Sequence, residues 1–124
     1  MGWISLVGRV ILALYFIYSG VNHFSNYQGM KQYTSYKGVL APGIAVVVTG
    51  LMLLGGGLSI LTGYCIGWGV GLLVVFLVAS AFLMHNFWTV DDPMTKVGEK
   101  NQFMKNIALA AAALLLLEIT DWSW

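Results

Sequence analysis

Trp3–Val21 carries a single charged residue, Arg9, while Gly43–Leu61 and Tyr64–Met84 carry none. About 20 residues of helix are needed to cross the hydrocarbon core of a bilayer, and each of these runs is close to that length. Lipid offers no hydrogen bonds, so a segment crossing it must pair its own backbone groups, which a helix does. A fourth run is less clean: Ile107–Ile119 is strongly apolar, and the required length is reached by taking Phe103 to Trp122. The chain is 59% hydrophobic and only 9% charged, against roughly a quarter charged in soluble domains. Too little charge is present to wet a surface, so the lipid bilayer is the expected partner. These runs predict an all-α integral membrane four-helix bundle, one domain over residues 1–124, with spans of about 3–21, 43–61, 64–84 and 103–122.

The remaining composition excludes several functions. A net charge of +1 without a basic run gives nothing to grip a phosphate backbone, so nucleic acid is not an expected partner. Cys65 is the only cysteine, which rules out an internal disulfide and a Cys-x-x-Cys relay. Trp3–Val21 is too long for a signal peptide, and no small-residue cleavage pattern follows it.

The connections alternate in length. Thr62–Gly63 leaves almost no loop, so the second and third helices are expected as a tight antiparallel hairpin. Segments 22–42 and 85–102 are long and polar. Together with the start of the fourth helix, they hold Lys31, Lys37, Lys96, Lys100 and Lys105. The positive-inside rule then puts both long loops in the cytoplasm and both termini outside, in the cytoplasmic membrane of a bacterium or archaeon. Ser25-x-x-Gln28 reads as a capping box opening a short interfacial helix between helices one and two. In it Phe24, Tyr27 and Met30 face the membrane and Lys31 and Lys37 face water, with Gly38 and Pro42 closing it. Asp92–Pro93 reads as a helix cap followed by a first-turn proline.

Lipid-embedded helices associate by close packing of small residues. Gly63, Gly67 and Gly71 make such a stripe at the start of helix three, with Gly55–Gly56–Gly57 in the middle of helix two. His85 follows Gly67 by five whole helical turns, which points it along that stripe toward the bundle interior. Arg9, about two turns into the first span, is costly if unpaired. Glu118 is the acid expected at similar depth, giving an Arg9–Glu118 staple; an anion or quinone-oxygen contact is the functional alternative.

At the other end Asn22, His23, His85, Asn86, Lys105 and Asn106 converge on one mouth of the bundle. Asn86 or Asn106 fits a helix cap, and Trp88 fits an interfacial anchor. Two histidines and a lysine there also suit holding a carbonyl oxygen or passing a proton. Bis-histidine haem is not expected, because two interfacial helix ends leave little room for a macrocycle. No metal site is expected, since Cys65 lies at the opposite surface.

Gly8–Arg9, Ser19–Gly20, the glycine-rich second helix ending Leu61–Thr62–Gly63, His85-x-Phe87–Trp88 and Phe103-x-Lys105–Asn106 occur in that order. Together they resemble the DoxX family of small four-helix membrane proteins. The resemblance implies a role in quinone-dependent thiosulfate oxidation or in membrane redox and detoxification complexes. Its more distant relatives include a eukaryotic cargo receptor that is not an enzyme. It also implies Arg9, His85, Lys105 and Asn106 as site residues. The family pattern places an acidic residue before the helix-two glycines, where this chain has Leu51–Met52–Leu53–Leu54. The resemblance therefore does not extend to a proton-coupled mechanism that needs that carboxylate.

The leading expectation is a quinone-interacting redox subunit: His85 and Lys105 as the chemically active groups, and His23, Asn86, Asn106 and Trp88 as ligand contacts. Its electrons would come from a partner oxidoreductase subunit or a soluble substrate. The alternative is a non-catalytic membrane component, namely an assembly subunit, cargo adaptor or small-ligand carrier, alone or as a homo-oligomer.

Overall fold

Helix boundaries in this chain follow from prolines, glycines and a few polar caps set between apolar runs. The computed structural model describes residues 1–124 and is all-helical. Five helices are present: α1 (Trp3–Ser25), α2 (Tyr27–Tyr36), α3 (Pro42–Thr62), α4 (Ile66–Met84) and α5 (Pro93–Leu115). Short 3₁₀ turns occupy Phe87–Thr89 and Leu116–Glu118. Pro42 opens α3 at its first turn, and Gly63 closes it at φ +81°, a left-handed conformation that glycine adopts without steric cost. Only residues 63–65 then separate α3 from α4, the expected tight hairpin.

Several boundaries differ from the sequence expectation. The capping box does not form. Ser25 is the last residue of α1, and Asn26 stands at the N-cap of α2 without a side-chain cap bond. Phe24 is 40% exposed, and Phe24, Tyr27 and Met30 all also make contacts within the protein. Phe24 and the Tyr27 hydroxyl lie over Gly50 and Gly43 of α3, and Met30 lines an internal cavity. Asp92 does cap α5, accepting from the backbone N–H of Thr95 at 2.9 Å, with Pro93 in the first turn. That cap starts the last helix ten residues before the expected Phe103. The same helix stops at Leu115, and the chain from Ile119 onward has no regular secondary structure. Half of the presumed second loop is thus helix, and the last part of the presumed fourth span is not.

The apolar core joins Ala13 and Phe16 of α1, Leu53 and Ile60 of α3, Leu73 and Leu77 of α4, and Ala110 of α5. The helices pack in series, α1 on α3, α3 on α4 and α4 on α5, with α2 lying on α3. Backbones approach closely at Gly57, where an added Cβ would stand 3.0 Å from the Ala13 carbonyl oxygen and 3.0 Å from the Ile17 nitrogen. In the hairpin the same role falls to Gly56, against Leu73, and Gly69, against Ser59. The predicted Gly63–Gly67–Gly71 stripe is not the contact face: Gly67 and Gly71 have open space beside them. A helix apolar on all sides does not reveal from its sequence which side meets protein and which meets lipid.

Candidate functional site

At the long-connection end the five helices leave a cavity of about 580 Å³. Its walls are mainly apolar, from Phe16 of α1, Val46 and Leu53 of α3, and Phe76 and Leu83 of α4. Asn22, His23, Ser80, His85, Lys105 and Asn106 supply polar groups. Five of the six residues expected at the mouth therefore line one space.

Two of them are aimed in a chemically defined way. His23 Nδ1 lies 2.8 Å from the Ser19 carbonyl oxygen. A carbonyl only accepts, so Nδ1 carries the proton and the neutral ring keeps Nε2 as a free acceptor. Phe76 holds the ring edge-on at 5.9 Å. Asn106 is only 5% exposed, yet no side-chain hydrogen bond of the protein engages its amide. The protein nevertheless has no sealed, unpartnered polar atom, so the amide borders the cavity it lines.

His85 sits just past the end of α4, so helical arithmetic from Gly67 does not orient it; a carboxylate does. Its Nδ1 lies 3.1 Å from Glu99 Oε2. The Tyr33 hydroxyl is 3.1 Å from Glu99 Oε1 and 3.2 Å from the Met84 carbonyl. The Lys37 ammonium donates to Asn86 Oδ1 at 3.0 Å and stands 3.7 Å from Glu99 Oε2. Sequence reasoning left Glu99, Tyr33 and Lys37 out of the site, and it placed Lys37 in water, where it is in fact paired. One signal was present. With the helix starting at Pro93, Glu99, Phe103, Asn106, Ala110 and Ala113 fall on one stripe at spacings of four, three, four and three, the period of a buried helix face.

Tyr33 is 39% exposed, but its hydroxyl turns onto Glu99. Partial burial and the adjacent carboxylate push its pKa from 10.0 up to about 12. The folded protein thus holds a proton that the unfolded chain releases near 10, and stability falls as pH rises from about 10 through about 12. Tyr33→Phe is expected to remove this component. Thermal midpoints of the two proteins, compared between pH 8 and 12, should converge at the alkaline end; a constant difference would contradict it.

The other expected contacts lie elsewhere. Asn86 is outside the cavity, beside a polar groove of about 550 Å³ that Tyr33, Lys37 and Glu99 also line. Trp88 is half exposed in an aromatic cluster with Phe82, Phe87 and Phe103, at ring separations of 5.2–6.0 Å. That position fits the anchor role. Arg9 is at the far end of the protein and does not meet Glu118, which is exposed. The guanidinium instead donates to the carbonyls of Ile60 at 2.8 Å, Leu61 at 3.0 Å and Trp122 at 2.9 Å. Trp124 lies over it at 3.9 Å. The expected Arg9–Glu118 staple does not form; Arg9 is held by backbone carbonyls instead.

The DoxX family model matches residues 4–86, from the first turn of α1 to the His85–Asn86 end of α4. The chain belongs to the DoxX family. No curated protein and no solved structure matches it. As a DoxX protein with three helical segments long and apolar enough to cross a bilayer, Trp3–Ser25, Pro42–Thr62 and Ile66–Thr89, it is an integral membrane protein. The family match takes in His23 and His85 but ends before Glu99, Lys105 and Asn106, so the residues that α5 brings to the cavity lie beyond it.

Proposed function

We propose that this DoxX protein binds a quinone or hydroquinone in the cavity and serves a membrane redox or detoxification reaction. The observation carrying this reading is the unpartnered Asn106 amide, 5% exposed, on the wall of a mainly apolar space of about 580 Å³. A buried amide without a protein partner loses free energy unless a ligand or water supplies the bond. The volume lies in the range of small-molecule sites, which combine apolar walls with a few placed polar groups. Asn106 has both a donor for a quinone carbonyl and an acceptor for a hydroquinone hydroxyl, and His23 Nε2 adds a second acceptor. Electrons would pass between the bound ligand and a partner protein or a soluble substrate.

In this reading α5 makes a fourth crossing through its Phe103–Leu115 half, and α2 lies at the interface. The five lysines at the cavity end face the cytoplasm, in a bacterial or archaeal cytoplasmic membrane. Quinone extracted from gently purified protein, quantified by mass spectrometry, tests the site. Wild type is expected to carry near-stoichiometric quinone, and Asn106→Leu at least about tenfold less, the worth of one buried polar contact at roughly 1.4 kcal/mol. Absence of enriched quinone from wild type would refute the reading and leave an adaptor or assembly role.

A further inference from the structure

The His85–Glu99–Tyr33 cluster stands between two spaces of opposite character. On one side is the mainly apolar cavity, which His85 and Tyr33 line. On the other is the polar groove bordered by Tyr33, Lys37, Asn86, Asp91, Asp92 and Glu99. His85 belongs to the first space and Glu99 to the second, and the 3.1 Å contact between Nδ1 and Oε2 joins them. An imidazole binds a proton at either nitrogen, so it passes one across its ring without moving.

Resting on the proposed quinone site, we infer that His85 and Glu99 form a proton exit from the cavity to the aqueous groove, and that the ligand using it is the hydroquinone. Glu99 is an acceptor-only carboxylate in the arrangement seen, so His85 Nδ1 carries the hydrogen and Nε2 is the free base. The hydroquinone O–H bond breaks and an Nε2–H bond forms. The Nδ1–H bond breaks and an Oε2–H bond forms, and Glu99 then releases the proton to water in the groove. No electron moves in this step.

The surrounding groups suit that task. Lys37 stands 3.7 Å from Oε2, and the Tyr33 hydroxyl holds Oε1. That leaves Oε2 as the oxygen facing the ring. Asp91 and Asp92 line the groove that receives the proton. His23, Lys105, Tyr15 and Tyr18 are the other titratable groups on the cavity side.

The test uses full-length protein in lipid nanodiscs loaded with a short-chain benzohydroquinone, and ferricyanide as the oxidant. Oxidation of one hydroquinone reduces two ferricyanides and releases two protons, one of them by this route. Glu99→Gln keeps the side-chain shape but not the basicity. It is expected to slow stopped-flow oxidation by about a hundredfold, the usual worth of a positioned proton acceptor, at unchanged hydroquinone occupancy. Glu99→Ala should be slowed likewise and accelerated again by added formate, which a purely structural role would not produce. Wild-type rates in both variants at full occupancy would overturn the proton exit alone. Failure of wild type to bind the hydroquinone would overturn the site, and the exit with it.

Discussion

Arg9→Met is expected to destabilise the protein by about 3 kcal/mol, measured by thermal or detergent-titrated unfolding in mixed micelles. The last carbonyls of a helix have no intrahelical partner. At the end of α3, Ser59 is satisfied by the Gly63 N–H at 2.8 Å, while Ile60 and Leu61 depend on Arg9. The third donor reaches Trp122 and ties the C-terminal tail to the helix end. Removing the guanidinium orphans three carbonyls at roughly 1–3 kcal/mol each, partly offset because a buried charge no longer has to be desolvated. Its cation also complements the negative end of the α3 dipole. Arg9→Lys should recover only part of the loss, because a single ammonium cannot reproduce the planar fork. Glu118→Gln should change stability by less than about 0.5 kcal/mol, as for a surface substitution. A large effect at Glu118 with a small one at Arg9 would reverse this account.

Gly57→Ala is expected to cost about 2 kcal/mol, as overpacking of a closed interface does. The new methyl would meet the α1 backbone at Ala13 and Ile17, each at 3.0 Å. Backbone cannot rotate aside as a side chain can, so α1 and α3 must separate. Since α1 also carries Asn22 and His23, the variant should loosen the cavity and lose bound quinone in the same preparation. Gly71→Ala is the control: open space surrounds that position, and it should be neutral or slightly stabilising, since alanine is the better helix former. Equal losses at both positions would show that glycine is needed for something other than helix approach.

Much of the candidate site could be read before any coordinates, because polar side chains clustered at the ends of apolar runs have few places to go. His23, His85, Lys105 and Asn106 do share one cavity. What escaped was which groups the charged residues meet. Arg9 was matched to Glu118 because a sequence displays side chains and conceals carbonyls, and the acceptors proved to be carbonyls. Glu99 was passed over because it was assigned to a loop, although the Asp92–Pro93 cap already implied that it belonged to α5.

The sequence by itself determined that the protein is helical and crosses a membrane, because lipid imposes a length and a closed hydrogen-bond inventory on any apolar run. Those demands are local, so they can be read along the chain. Only the tertiary structure decided which face of each helix meets its neighbour. Lipid tails are as apolar as leucine, so burial alone does not choose the side, and the rotation is set by where helices fit at Gly56, Gly57 and Gly69. That rotation brings Glu99 under His85 and leaves the Asn106 amide facing an apolar cavity, the two features on which the function proposed here depends.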